Sequence, residues 1–385
     1  MKTLILVPSS GADRKLLGLT TTGRILNELS RGGIEDPVLV CPEGVSQDFL
    51  PDSEIPGGMK LRFESPESAN WDSIAQGCGE GAVVIDGSAV FEAGSLPDLV
   101  RKSSSDSVRY LIAGQPAVGC GSGKQEREED LNSAAVRPFD SGQVRSAKWL
   151  LLNGLRKPML VDGIVGYYIM RPITLRLTQL ISAVPITPNQ VTIFCFILGV
   201  AGALSVAMAS SIGWVQLGAL LYFAGATIDC VDGEIARLKY LSGPIGAWLD
   251  TLSDDITTAL FNLAMGIYVA RTMDNSLFLV LAACGSTAFV FSESYVYYYL
   301  LRVYKSGDVL DFVWAFQDGN KEERSPGVTD YLLLLTKRDF FSAFLLVLAI
   351  FDLVILGSVI VSVALLCYMF IAVFDWLVRR KTGSS

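Results

Sequence analysis

Two hydrophobic rhythms divide the 385 residues near position 190. Upstream, apolar runs are four to five residues long, at 3–7, 37–41, 82–85 and 110–113, each bounded by Gly, Pro or charge. Runs of that length between turn signals predict buried strands. A helical pattern at 22–31, stopped by Gly32 and Gly33, separates the first two. Strand alternating with helix predicts an α/β layer with a mainly parallel sheet. The stretch 121–127 is polar and predicts a loop. Downstream, the apolar segments are long enough to cross a bilayer, which takes about 20 residues. Six are expected: 191–210, 212–227 running on as helix to about 240, 246–270, 277–301, 340–355 and 357–378. The stretch 340–378 is too long for one span, and Gly357 marks the expected break.

Between these regimes, 145–156 and 165–181 mix apolar residues with periodic basic and aromatic ones. That pattern predicts amphipathic helices lying along a bilayer surface, after which Pro188 turns the chain into the membrane. The expected division is a domain at 1–140, a linker with the interfacial helix at 141–187, and a membrane domain at 188–385.

Basic residues orient the spans. Arg156, Lys157, Arg171 and Arg176 precede the first, and Arg237 and Lys239 follow the second. Arg302, Lys305, Lys321, Arg324, Lys337 and Arg338 lie between the fourth and fifth, and Arg379, Arg380 and Lys381 follow the sixth. With six spans all of them share one side, and the opposite loops hold only Arg271. The positive-inside rule then predicts a multi-pass protein of the cell membrane with both termini in the cytoplasm. The N-terminal apolar run of five residues is shorter than a secretory leader requires. The seven cysteines are scattered without a CxxC pair, and reduced, buried thiols are expected.

Charge narrows the chemistry. Residues 1–143 hold 13 Lys+Arg against 21 Asp+Glu, and residues 144–385 hold 18 against 18, so the net −8 belongs to the N-terminal third. No basic patch favours nucleic acid. The absence of histidine excludes His-based triads and His-ligated zinc.

The remaining candidates are carboxylates. Asp229, Asp232, Gly233, Ala236 and Arg237 follow i, i+3, i+4, i+7, i+8, one face of a helix; Asp250 and Asp254 follow i, i+4 on the next. A short turn at 241–244 lets the two faces meet. Four acids so close need compensating cations. Oxygen donors beside a phosphate site suit Mg²⁺ or Mn²⁺, two ions being the expectation. Gly233 and Ala236 remove bulk, which predicts a smooth groove for a ligand backbone. Arg237 offers a forked cation for phosphate oxygens. Intramembrane acids also mark ion pathways, so a divalent-cation transporter is a competing reading, as is an inactive anchored scaffold. Clustering of the acids with an arginine favours neither.

The run D-x2-D-G-x2-A-R-x8-G-x3-D-x3-D, complete from Asp229 to Asp254, resembles the CDP-alcohol phosphotransferase signature. Arg171-Pro172, the 187–192 run TPNQVT and the 337–340 run KRDF are similar to the interfacial helix, first-span start and fifth-span start of such enzymes. The resemblance implies that Asp229, Asp232 and Asp250 bind divalent metals, with Asp254 beside them as general base. It implies that Gly233, Ala236, Arg237 and Gly246 line the CDP site, and that the protein is a homodimer. The implied donor is a CDP-linked alcohol, lipid or soluble, the acceptor another alcohol, and the product CMP. Residues 4–40 resemble a Rossmann-like sugar-phosphate nucleotidyltransferase, a domain fused to this transferase in inositol-phosphate cytidylyltransferase enzymes. Its glycine loop would align with Gly11, Asp13 and Lys15, where an aspartate opposes a triphosphate. Asp86 would align with a metal-binding acid. The resemblance therefore implies a degenerate, inactive N-terminal domain, the alternative being a bifunctional enzyme that makes its own CDP-alcohol.

Overall fold

The computed structural model describes residues 2–7, 15–41, 49–64, 74, 82–106, 108–112, 115–120, 127–131, 134–138, 140–307, 309–315, 334 and 337–382. The chain forms two compact units. One comprises Met1–Arg156 with Ser182–Pro185 and Leu238–Tyr240; the other comprises Lys157–Ile181, Ile186–Arg237 and Leu241–Ser385.

The first unit is built on β1 (Lys2–Leu6), α1 (Thr21–Arg31), β2 (Val38–Val40), β3 (Arg62–Glu64), β4 (Ala82–Asp86), α2 (Leu96–Asp106), β5 (Val108–Ile112), β6 (Gln115–Cys120), β7 (Arg127–Asp130) and α3 (Ser141–Asn153). Among the described residues, seven strands form one sheet in the order β7-β5-β6-β4-β1-β2-β3. Its pairings are parallel except around β6, which runs antiparallel to both β4 and β5. The sheet is therefore mixed, with the expected parallel character at its centre. α1 starts one residue before its apolar pattern because the Thr20 hydroxyl accepts the Gly23 N–H at 2.9 Å. Its Ile25, Leu26 and Leu29 pack with Ile5, Val83 and Ile85 in one core. Burying each such side chain contributes about 1.5–3 kcal/mol. The polar 121–126 stretch lies outside the described residues.

The 145–156 stretch differs from expectation. Its residues 145–153 fall within α3, which buries Ala147, Leu150 and Leu151 while Trp149 stays exposed, so protein covers only part of its apolar face. Asp140 caps that helix, accepting the Gln143 N–H at 2.7 Å.

The second unit is helical: α4 (Arg171–Ile181), α5 (Pro188–Ala207), α6 (Ile212–Leu238), α7 (Pro244–Thr272), α8 (Leu277–Tyr299), α9 (Arg338–Ile350) and α10 (Val354–Thr382). Among the described residues, four segments are long and apolar enough to cross a membrane: Pro188–Ala207, Ile212–Leu238, Leu277–Tyr304 and Val354–Lys381. α7 has 29 residues but carries Asp250, Asp254, Asp255 and Arg271, and α9 has 13. The break between α9 and α10 falls at 351–353, where Asp352 adopts φ +57°, rather than at Gly357. Gly357 lies inside α10, where a Cβ would sit 3.2 Å from both Leu345 and Leu348 of α9. That glycine serves close helix packing, a pressure that local turn signals do not reveal.

The outer surface of this unit, unlike that of a water-soluble bundle, is apolar. Ile193, Phe194, Ile197 and Leu204 of α5 are exposed. Asn262, by contrast, is buried and fully engaged. Its Nδ2 donates to the Ala282 carbonyl and the Ser286 hydroxyl at 3.0 Å each, and its Oδ1 accepts from Ser362 at 3.0 Å. Apolar surface outward and satisfied polar groups inward is what lipid demands. α5 and α6 meet backbone to backbone: a Cβ on Gly202 would lie 2.7 Å from the Gly218 carbonyl oxygen, and one on Gly218 2.6 Å from that of Gly202. Gly218→Leu should therefore lower stability by about 1–3 kcal/mol or more through overpacking. Gly213→Ala, which meets only Ser211 Oγ at 3.9 Å, should be near neutral. Thermal unfolding of the detergent-solubilised protein checks both.

Candidate active site

The turn between α6 and α7 brings the acids together. The Leu241 N–H closes α6 on the Ala236 carbonyl at 2.8 Å, and Pro244 opens α7 at its first position, where its missing N–H costs nothing. Asp229 from α6 and Asp250 and Asp254 from α7 each place a carboxylate oxygen so that the three lie within 4.8 Å of one another. Asp232 stands apart. Its Oδ2 takes the Thr192 hydroxyl, supplied by the TPNQVT run at the start of α5. The four predicted acids thus divide into a trio and a single neighbour.

The trio fits a cation. Its donors are all oxygen, and Asp229 Oδ1 is buried with no hydrogen-bond partner among the described residues. An ionised oxygen in that position is costly unless a positive charge meets it.

The small residues act differently from the expected smooth groove. A Cβ on Gly233 would lie 3.3 Å from Arg237 Nη1, so the bare α-carbon makes room for the arginine's own head group. Arg237 Nη2 is buried without a hydrogen-bond partner among the described residues, a donor available to an anion. Ala236 is half-buried on the same helix face. Gly246 faces the side chain of Asn189, whose Oδ1 would lie 3.2 Å from an added Cβ.

Two residues in the site lay outside the sequence-predicted set. Arg338, counted in the sequence among the basic residues that orient the spans, reaches into the trio: Nη1 donates to Asp254 Oδ1 and lies 3.4 Å from Asp229 Oδ2. The KRDF run gave a signal, but helix periodicity cannot tell inward from rim at a helix's first residue. Glu234 is completely buried and accepts from Arg171 Nη1 (2.6 Å), Thr174 Oγ1 (2.7 Å) and Thr178 Oγ1 (2.6 Å). Arg171 also forks onto Asp162, Nε to Oδ2 and Nη2 to Oδ1, each at 2.6 Å. Positions 171, 174 and 178 form one face of α4, a polar stripe that faces protein while Ile173 and Leu180 are exposed. Burial works against the Arg171 charge, yet the Asp162 hydrogen bonds and nearby charges outweigh it and raise its pKa. This bridge joins the segment before the bundle to α6 inside the signature itself.

In the first unit, Asp86 ends β4 with both oxygens engaged. Oδ2 accepts Arg137 Nε at 2.5 Å, and Oδ1 accepts the Ser88 N–H at 2.9 Å and its hydroxyl at 2.7 Å. Gly11 and Asp13 lie outside the described residues, while Lys15 is exposed on a two-residue strand.

Removing one member of a buried ion pair strands the other charge. Arg171→Ala should destabilise the protein by about 3–5 kcal/mol, and the double change Arg171→Met with Glu234→Leu should recover much of that loss. Chemical or thermal unfolding in micelles measures both, and equal loss in the single and double variants would refute the account.

Comparison with known proteins agrees with this geometry. Residues 185–310 match the family model described as CDP-alcohol phosphatidyltransferase. A protein named bifunctional IPC transferase and DIPP synthase from Thermococcus kodakarensis is 31% identical over 93 residues, 24% of this chain and 20% of the relative. Its namesake from Aquifex aeolicus is 28% identical over 131 residues, 34% of this chain and 29% of the relative. An archaetidylinositol phosphate synthase from Pyrococcus horikoshii is 29% identical over 93 residues, 24% of this chain and 47% of the relative. The chain thus aligns with less than half the length of each. Residues 185–310, and with them the acid-bearing pair α6–α7, form a CDP-alcohol phosphatidyltransferase family domain.

Proposed function

We propose that the protein is an integral-membrane CDP-alcohol phosphotransferase. The acceptor hydroxyl attacks the β-phosphorus of a CDP-linked alcohol. The new P–O bond forms as the bond from that phosphorus to the bridging oxygen breaks, and CMP leaves with that oxygen. The carrying observation is the carboxylate trio within 4.8 Å, on the family signature, together with the buried Arg237 guanidinium on the same helix as Asp229, whose Nη2 has no hydrogen-bond partner among the described residues.

Asp229, Asp250 and Asp254 would hold Mg²⁺ or Mn²⁺, with Asp232 completing a set for two ions. Bound there, divalent cations neutralise charge on the transferring phosphoryl group and on departing CMP. Arg237 donates to a phosphate oxygen through Nη2, and Gly233 keeps space for its head group; Ala236 and Gly246 leave the nucleotide path clear. Asp254 takes the acceptor proton as general base. Thr192 holds the Asp232 carboxylate in place.

α7 and α9 are the third and fifth of six membrane helices in this reading, and 188–385 is the catalytic domain. The distribution of basic residues supports a cytoplasmic side of the cell membrane for the site and both termini, and the working form in this reading is a homodimer. The donor is a lipid or a soluble CDP-alcohol, and the acceptor a second alcohol. An arginine inside the acid cluster disfavours a cation pathway, which it would block by repulsion.

The N-terminal domain, 1–140, is catalytically inactive in this proposal. Asp86 already holds the Arg137 guanidinium on Oδ2 and two Ser88 bonds on Oδ1, partners with which a metal would have to compete.

The assay is CMP release by purified protein from lipid and soluble CDP-alcohols with a panel of acceptors, with and without Mg²⁺ or Mn²⁺. Asp229→Asn, Asp232→Asn or Asp250→Asn should each lower metal-dependent turnover by about 10²–10³, the size expected when one preorganised charge is removed. Asp254→Asn should lose turnover while retaining CDP-alcohol binding. Near-wild-type rates in two of the first three would overturn the metal assignment.

The purified protein should release no pyrophosphate from CTP when offered inositol 1-phosphate or glycerol 3-phosphate. Pyrophosphate release dependent on the added phosphate would instead support the bifunctional reading.

A further inference from the structure

Two arginine–carboxylate contacts of the second unit differ in design. Arg171 meets Asp162 with its full fork, two bonds of 2.6 Å, and adds a third to Glu234. That is how a permanent ion pair is built. Arg338 meets the acid trio through Nη1 alone, touching Asp254 Oδ1 and lying 3.4 Å from Asp229 Oδ2. Its Nε is buried without a hydrogen-bond partner among the described residues, and so is Asp229 Oδ1. Both sides of this contact are incomplete: a donor and an acceptor are left over in the same cluster.

We propose that Arg338 is a built-in substitute for the divalent cation, neutralising the trio in the metal-free protein and giving up Asp254 and Asp229 when the ion enters. The inference rests on the metal reading above and goes beyond it by giving the protein's own cation a competing role. Three carboxylates within 4.8 Å of one another cannot stay ionised and unmatched in a helix bundle. A single guanidinium lowers that repulsion. The same charge raises the cost of bringing a divalent ion to the same oxygens. Arg338 thus stabilises the metal-free chain and weakens its hold on metal. While its Nη1 occupies Asp254 Oδ1, that oxygen is also closed to an acceptor proton, so one displacement both admits the ion and frees the base.

The neighbours of Arg338 allow the displacement without moving the helix. Lys337 Nζ donates to the Leu160 carbonyl at 3.0 Å, and Asp339 Oδ2 accepts the Gly166 N–H at 2.8 Å. The backbone at the start of α9 is held on both sides, so the guanidinium leaves by rotating its own side chain. The Tyr222 ring, 5.9 Å from its Cζ, gives the cation a polarisable surface beside the cluster.

The test uses the full chain in detergent micelles, with Mn²⁺ as the probe. Free Mn²⁺ is followed by electron paramagnetic resonance, and unfolding is followed in chelator and in saturating Mn²⁺. Arg338→Gln should bind Mn²⁺ about tenfold or more tighter than wild type, the direction set by removing a like charge from the site. It should also unfold at lower temperature than wild type in chelator, with the gap closing in Mn²⁺. Should that variant not fold, phenylglyoxal labelling of wild-type Arg338, read by peptide mass spectrometry, carries the test: Mn²⁺ should speed it severalfold. Unchanged or weaker Mn²⁺ binding by Arg338→Gln, or labelling that Mn²⁺ does not speed, overturns the proposal. The double variant Asp229→Asn with Asp250→Asn separates the two readings. If it loses Mn²⁺ while Arg338→Gln gains nothing, only the substitute-cation proposal falls. If it binds Mn²⁺ like wild type, the metal assignment falls, and this proposal with it.

Discussion

Mutual repulsion among carboxylates is the constraint around which the helical unit is organised. Asp229, Asp250 and Asp254 lie within 4.8 Å of one another on two helices that a short turn holds together. In water such a cluster would be held apart by hydration. Inside a bundle that exposes apolar side chains, the charge must be met by cations or by donors. The structure supplies both: Thr192 for Asp232, Arg338 for Asp254 and Asp229, and one oxygen of Asp229 left open. Tight acids, one partial counter-charge and a buried Asp229 oxygen with no hydrogen-bond partner among the described residues are the features on which the proposed exchange of positive charge rests.

The rest of the unit holds that arrangement still. The Gly202–Gly218 contact sets α5 and α6 close enough for Thr192 to reach Asp232. The Glu234 bridge fixes α4 against α6 one helical turn from the acids, and the Asn262–Ser286–Ser362 bonds tie the helices together where lipid offers no partner. These polar contacts are buried and satisfied, while apolar side chains face outward. A soluble bundle would collapse its apolar faces inward. This one can use polar contacts as internal ties because the surroundings compete for none of them.

The chemistry of the helical part was legible in the sequence because it depends on periodicity. Residues at i, i+3, i+4 and i+7 share a face in any α-helix, so Asp229, Asp232, Gly233, Ala236 and Arg237, and then Asp250 and Asp254, had to form two acidic faces. Short apolar runs bounded by turn residues likewise had to become strands, and β1, β2, β4 and β5 lie where those runs are. What lies between elements was decided by tertiary structure alone. Only packing divided the acids into three and one, since Thr192 reaches Asp232 across 40 positions and Arg338 reaches Asp254 across 84. Only packing filled the space at Gly233 with a guanidinium, moved the last helix break from Gly357 to 351–353, and drew Arg338 from the rim into the cluster. Local sequence determines which side chains share a face, because backbone geometry repeats every few residues. Which partner meets that face depends on distant segments competing for the same charge and the same volume, and that competition is resolved only when the chain is folded.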